Sequence, residues 1–339
     1  MKKKQGRIII IAEAGVNHNG NMEIAKSLID AAAIAGADYV KFQTFKADKL
    51  TTLMAGKADY QTVATGSICE GQHAMLSRLE LSEKQHRELL AHCNKRNIGF
   101  LSTAFDIDSI DFLVSLGIKL FKIPSGEINH LPYLKHIGRQ KGEIILSTGM
   151  ATLAEIETAI NVLQEAGTTK DKITVLHCTT EYPAPIEEVN LKALKTIRAA
   201  FKVRVGYSDH TKGIEIALAA AALGASVIEK HFTLNRRLPG PDHQASLEPE
   251  ELLQMIYSIR NIEKAMGNGI KQPTPSEMRN IKVARKSIVA IRNISQGEIF
   301  SLENIGIKRP GNGLSPMLWD HVLGRIAAYD FSADELIRL

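Results

Sequence analysis

Two stretches decide the fold: Val203–His210, V-R-V-G-Y-S-D-H, and Ser226–Phe232, S-V-I-E-K-H-F. Each is a short run rich in β-branched and aromatic residues and bounded by polar ones, the pattern of a buried strand. Between them lies I-A-L-A-A-A-A-L-G (216–224), small residues that suit a packed helix ending at Gly224. Strand, helix and strand make a crossover unit whose strands run parallel. Both runs end in a histidine, His210 and His231. Parallel neighbours project these imidazoles from one rim, where they can share one divalent metal.

The same alternation extends outward. Strands are predicted at Arg7–Ala12, Tyr39–Thr44, Gly99–Ser102, Leu120–Ile123, Glu143–Leu146, Ile173–His177, Val203–Tyr207 and Val227–Lys230. Helical patterns lie between them. Ile24–Ala35 is closed by Gly36, Glu83–Lys95 follows a capping box of Ser82 and Gln85, and a third runs from Leu153 to Ala166. Repeated strand–helix units over residues 1–266 predict an α/β fold, a (β/α)8 TIM barrel. The rival is a doubly wound open sheet. No G-x-G-x-x-G follows the first strand, which weakens its dinucleotide-binding form. The connection Phe45–Leu81 has little periodicity, and loops of that length serve as lids or binding elements. Residues 267–282, opening with G-N-G-I-K-Q-P-T-P-S, read as a linker. The tail, 283–339, reads as a small loop-rich domain with strand pieces at Ser287–Ile291 and Ile305–Lys308. Its core is modest and is expected to need a partner surface.

Composition narrows the class. The chain has 339 residues, 44% hydrophobic and 23% charged, with 42 basic and 37 acidic residues, a net charge of +5. These values are ordinary for a globular protein. The cations are dispersed, which argues against nucleic acid and suits an anionic small substrate. Cys69, Cys93 and Cys178 show no paired spacing, pointing to reduced thiols in a cytoplasmic protein. Lys2–Lys4 and the short run Ile8–Ile11, soon followed by Glu13, read as the entry to a first strand and not as a leader. No apolar run is long enough to span a bilayer.

The chemistry gathers where the strands end. Glu13, Lys41, Gln43, Thr103, Lys122, Ser125, Ser147, Tyr182, Ser208, His210, Glu229, His231 and Asp242 all fall at or just past predicted C-terminal ends. A strand-end lysine is often only a surface residue. Lys41 and Lys122, however, sit inside Y-V-K-F and L-F-K-I, where a lysine needs polar company. Two ammoniums and several hydroxyls on one rim make a phosphate site. A lone strand histidine is usually a hydrogen-bonded core residue, but two at matching ends favour a metal. An open site with two imidazoles suits Mn2+, with Co2+, Mg2+ or Zn2+ as alternatives. His18, His177 and His243 read as structural or as supports behind the site, and Met54, Met75 and Met150 as packing.

Together, A-E-A-G-V-N-H-N-G (12–20), V-K-F-Q-T-F-K-A-D-K-L (40–50), F-K-I-P-S-G-E (121–127), L-S-T-G-M-A-T (146–152), L-H-C-T-T-E-Y-P-A-P (176–185), G-Y-S-D-H-T (206–211), I-E-K-H-F-T (228–233) and P-G-P-D-H (239–243) resemble the sialic acid synthase family. That family includes bacterial N-acetylneuraminate synthases and their legionaminate and pseudaminate relatives. A-R-K-S-I-V-A (284–290) and K-R-P-G-N-G-L-S-P (308–316) resemble its C-terminal antifreeze-like (SAF) domain. The resemblance covers essentially the whole chain. It implies a TIM barrel with that small domain in a domain-swapped homodimer. It also implies condensation of phosphoenolpyruvate with an N-acetylmannosamine-type aldehyde. By the same resemblance Lys41, Thr103, Lys122, Ser125, Ser147 and Ser208 hold phosphoenolpyruvate, and His210 and His231 bind Mn2+. Glu13, Gln43, Tyr182 and Asp242 face metal and sugar, with Glu13 a proton-transfer group. Arg309 reaches the sugar from the partner subunit.

Two departures stand out. Ala104 replaces the proline of the common S-T-P-F motif, which changes loop stiffness more than chemistry. Thr179-Thr180-Glu181 after Cys178 looks more like the legionaminate enzymes, whose acceptor is a 2,4-diacetamido-6-deoxy sugar. A pseudaminate or 3-deoxy-octulosonate type of synthase is the nearest alternative. The latter's phosphorylated acceptor needs a second phosphate site, for which no further Arg/Lys cluster is evident. A glycan-binding scaffold is the other, and a rim of ionisable groups argues against it.

Overall fold

Eight parallel strands close into a barrel: β1 (Ile9–Gly15), β2 (Tyr39–Thr44), β3 (Gly99–Ala104), β4 (Leu120–Ile123), β5 (Glu143–Ser147), β6 (Ile173–His177), β7 (Arg204–Asp209) and β8 (Val227–His231). They pair in chain order, and β8 returns to β1 with Ile9 opposite Val227. The computed structural model describes residues 7–65 and 71–339, so Cys69 lies outside the described residues. The chain forms two units, Met1–Gly267 and Asn268–Leu339.

Period-two alternation explains how the barrel is filled. Ile11, Leu101, Ile145, Leu176 and Val227, each from a different strand, form one buried apolar cluster inside it. The intervening residues, such as Ile10, Val40, Phe100, Val175 and Ile228, belong to the larger core shared with the surrounding helices. Two residues further along the inner face, the apolar plug gives way to Glu13, Thr103, Ser147, Cys178 and Glu229. The active rim is therefore the direct continuation of the plug.

The helices are set by their ends. Met22–Ala35 is capped by Asn21, whose side chain accepts from the Glu23 and Ile24 amides, and closes at Gly36 with φ 83°. Glu83–Lys95 and Leu153–Glu165 both start on capping boxes, Ser82 with Gln85 and Thr152 with Glu155. The long connection after β2 holds three short helices, Ala47–Leu50, Asp59–Thr65 and Gln72–Ser77. Periodicity does not reveal them because their contacts are tertiary: the first and third pack in a small separate core of Val16, Phe45, Ala47, Met75, Leu76 and Leu79, and Tyr60 of the second packs on Tyr182.

The second unit pairs β9 (Ser287–Ala290) antiparallel with β10 (Ile305–Lys308). It has a core of its own, built on Ile288, Ile294, Phe300, Ile305, Val322, Phe331 and Ile337. Pro275–Ala284 is helical, from within the stretch read as linker into the start of the tail. Thr274 and Glu277 form its capping box, Pro275 occupies its first turn, and none of its side chains is buried.

The plug leaves no room at Gly206. A Cβ there would lie 2.5 Å from Leu176 Cδ2 and 2.5 Å from the Val227 carbonyl oxygen, a backbone atom. Gly206→Ala is therefore expected to destabilise the barrel by about 1–3 kcal/mol. An unchanged urea midpoint for barrel unfolding would contradict this packing.

Candidate active site

Above the plug, four charged side chains meet in the barrel mouth. Lys41 Nζ lies 2.8 Å from Glu13 Oε2 and 3.7 Å from Glu229 Oε2, and Lys122 Nζ lies 3.1 Å from Glu229 Oε1. All four are buried. The register explains the meeting, because Glu13 is opposite Lys41 on β2 and Thr103 is opposite Lys122 on β4. Lys41 also donates to Thr103 Oγ1 at 2.9 Å, and Ser208 Oγ donates to Glu229 Oε1 at 3.0 Å.

Burial raises both carboxylates, and the lysines divide them. It pushes Glu13 up to about 7, with Lys41 opposing the shift. Burial also disfavours charge on Glu229, but Lys122 and Lys41 outweigh it and hold that carboxyl down at about 2. One acid is thus a fixed anion and the other exchanges its proton near neutrality. Burial lowers Lys122, whereas for Lys41 the nearby carboxylates more than offset burial and raise it.

The two imidazoles stand beside this rung, their ring centroids 5.7 Å apart. Burial drives His210 down to about 4 and His231 well below its ordinary value, so both are neutral at pH 7. His210 Nδ1 donates to the Thr179 carbonyl at 2.6 Å, which makes Nε2 the lone-pair nitrogen, with Ser208 Oγ 3.4 Å from it. Among the described residues His231 Nδ1 and Ser147 Oγ are buried without a hydrogen-bond partner. Asp242 Oδ2 is 3.9 Å from that imidazole nitrogen, and burial raises its carboxyl to about 6. A neutral imidazole of fixed tautomer beside a second with an orphaned nitrogen suits a borderline divalent cation. Among the described residues no group of three or more His, Cys, Asp or Glu forms a closed metal cage. A cation on this pair would draw its other ligands from non-protein oxygens.

These groups line one cavity of about 330 Å³. The barrel supplies most of its polar part, Glu13, Lys41, Gln43, Thr103, Lys122, Ser125, Ser147, Ser208, Glu229, His210, His231 and Asp242, and Gln61 and Gln72 of the long connection add to it. Leu50, Met75, Leu76 and Leu79 of the long connection, with Val16 and Phe105, supply an apolar wall. Tyr182 packs 4.1 Å from the His210 ring centroid, and Tyr60 of the connection packs 4.9 Å from Tyr182. Ser125 Oγ accepts from the Gly149 amide at 2.9 Å. Among the described residues Lys41 and Lys122 are the cations lining the cavity, so no second phosphate cradle accompanies them.

Every barrel residue given a substrate or metal role from the sequence lines this cavity. Arg309 lies in the second unit, where its Nε donates to the Ala284 carbonyl at 3.1 Å. Three other rim residues point elsewhere because alternation turns them outward. Ser102 bonds Thr44 at 2.7 Å, Asp209 pairs with Lys230, and Thr148 donates to the Leu176 carbonyl. His18, His177 and His243 each engage a backbone or hydroxyl partner. Glu229 was visible at the rim without an evident role. Its position two residues before His231 was the available signal. Tyr60 and the apolar wall had none beyond the length of the connection, and Met75, read as packing, is part of that wall.

The NeuB family model matches residues 28–271, and the SAF domain model matches 285–339. The chain is 57% identical to the N,N'-diacetyllegionaminic acid synthase of Campylobacter jejuni, over 98% of this chain and 99% of that protein. It is 46% identical to the protein of the same name from Legionella pneumophila, over 96% and 91%. Among solved structures, N-acetylneuraminic acid (sialic acid) synthetase from Leptospira borgpetersenii superposes with a TM-score of 0.71 at 34% identity. It covers 81% of this chain and 90% of that one.

Replacing Glu229 by Gln strands the buried Lys122 ammonium, while Lys41 keeps Glu13. Breaking a buried pair in this way costs about 3–5 kcal/mol. Glu229 is held below its ordinary 4.5, so its contribution is fully present above that pH and is lost as pH falls toward 2. The stability gap between wild type and Glu229→Gln, from denaturant unfolding, should be largest at neutral pH. It should then shrink by about 1.4 kcal/mol per unit below 4.5. A gap independent of pH would remove Glu229 from the charged rung.

Proposed function

The chain belongs to the NeuB family, and we propose that it condenses phosphoenolpyruvate with the open-chain aldehyde of 2,4-diacetamido-2,4,6-trideoxymannose, giving N,N'-diacetyllegionaminate and phosphate. The observation that carries the reading is a single cavity that joins two buried ammoniums, Lys41 and Lys122, to two neutral imidazoles. The likeness to two proteins named for that product, at 57% and 46% identity, supports the choice of sugar. So does the apolar wall of Val16, Leu50, Met75, Leu76, Leu79 and Phe105, which suits a 6-deoxy sugar carrying an added acetamido methyl.

Phosphoenolpyruvate is held by Lys41 and Lys122, with Thr103, Ser125, Ser147 and Ser208 supplying hydroxyls. Ser147 Oγ, lacking a protein partner, takes a substrate oxygen. A divalent cation, Mn2+ for preference, held by His210 and His231 supplies Lewis-acid polarisation of the sugar aldehyde. Carbon C3 of the enol phosphate forms the new bond to the aldehyde carbon, leaving positive charge at C2. Water adds at C2, and the C2–O bond to phosphate then breaks. Glu229, ionised beside the developing cation, stabilises it. Glu13, titrating near 7, transfers the proton between the aldehyde-derived oxygen or the attacking water and solvent. Gln43, Tyr182 and Asp242 orient the sugar.

The assembly is proposed to be a cytoplasmic homodimer in which Arg309 enters the partner's barrel mouth. Among the described residues no helix is long and apolar enough to cross a membrane.

Phosphate release and product mass test the reaction, using Mn2+ and two sugars, N-acetylmannosamine and the 2,4-diacetamido-6-deoxy sugar. The deoxy sugar should have the higher kcat/KM, by up to about 100-fold, the reach of an apolar pocket against an added hydroxyl. Chelation should abolish turnover with either. Preference for N-acetylmannosamine would overturn the sugar assignment, and full activity after chelation the metal.

Mixing Arg309→Ala with Lys122→Ala protein tests the shared site. Random exchange should restore about a quarter of wild-type activity, because half the dimers then carry one intact site of two. No recovery despite proven exchange would place the arginine outside the partner's site.

A further inference from the structure

Directly behind the imidazoles lies a buried ion pair that the proposed chemistry does not use. Lys230 Nζ is 2.8 Å from Asp209 Oδ2, and both side chains are fully buried. The same ammonium donates to the Thr211 carbonyl. Asp209 Oδ1 accepts from the Thr211 amide at 3.0 Å and its hydroxyl at 2.8 Å. Asp209 stands opposite Lys230, and Ser208 opposite Glu229, in the β7–β8 ladder. Alternation turns Ser208, Glu229 and His231 into the cavity and Asp209 and Lys230 outward, among residues such as Val205, Tyr207 and Ile228 that are otherwise apolar.

An apolar pair at such a position stabilises a fold as well as an ion pair or better. The value of this pair is geometric. It ties β7 to β8 one residue before both histidines and fixes the turn that follows His210. We propose that Lys230 and Asp209 are positioning residues that clamp His210 and His231 at the separation one divalent cation needs. This rests on the reading of the imidazole pair as a cation site.

Single replacements strand a buried charge, so the principal test is the double variant Lys230→Met/Asp209→Leu, which removes both. Mn2+ affinity of the substrate-free full chain, from electron paramagnetic resonance titration, should fall 10–100-fold, as for other groups that orient metal ligands. Phosphoenolpyruvate affinity in metal-free protein should change less than about threefold, the difference of one weak hydrogen bond. The melting temperature should fall modestly, because no charge is stranded but the buried Thr211 loses its partners. The milder Thr211→Val removes one hydroxyl from Asp209 and should weaken Mn2+ by up to about fivefold. Wild-type Mn2+ affinity in both variants would overturn the clamp, as would parallel loss of both ligands, which signals a disordered barrel. Wild-type protein and His231→Ala serve as controls. If they bind Mn2+ equally, the cation reading itself fails; if only His231→Ala loses it, the variants judge the clamp alone.

Discussion

The rung of Glu13, Lys41, Lys122 and Glu229 is the interaction on which the rest of the site depends. Four charges removed from water are tolerated only because each touches an opposite one. Their balance is asymmetric. Glu229 is ionised throughout the physiological range while Glu13 is half protonated near 7. With both ammoniums charged, the rung carries between zero and one net positive charge. A dianionic ligand enters a mouth whose resting charge favours it and whose counter-anion is already fixed in place. The apolar plug beneath holds the rung up to the mouth, and the helices around the strands hold the plug.

Much of this was legible in the sequence because a barrel strand is a simple device. It alternates, it ends, and the inner residues at its end face the cavity. Y-V-K-F and L-F-K-I announce buried lysines, and the matching ends of V-R-V-G-Y-S-D-H and S-V-I-E-K-H-F announce the imidazole pair. Alternation also sorts true lining from neighbours that only share the rim, which is why Asp209 and Lys230 turn away from the cavity. The parity of each run held that information, although strand ends alone did not reveal it.

What the sequence concealed is tertiary. Ala47–Leu50, Asp59–Thr65 and Gln72–Ser77 are too short to show an amphipathic period, and they are ordered by contacts distant in sequence. Tyr60 meets Tyr182 across more than a hundred residues, so no local pattern links them. Glu229 gains its meaning from two lysines on other strands. The role given to Arg309 comes from family resemblance, because no spacing within its own small domain identifies a target.

The separate core beneath the long connection has a consequence for how such a site diversifies. Val16, Phe45, Ala47, Met75, Leu76 and Leu79 pack mainly on one another, apart from the apolar plug and the helix–strand core. Val16, Met75, Leu76 and Leu79 of this patch line the cavity, so part of its roof rests on a core separate from the plug. Exchanges within it reshape the ceiling while the reacting groups stay fixed below. Lineages can explore new acceptors by redrawing the roof, leaving the bond-forming floor inherited and intact.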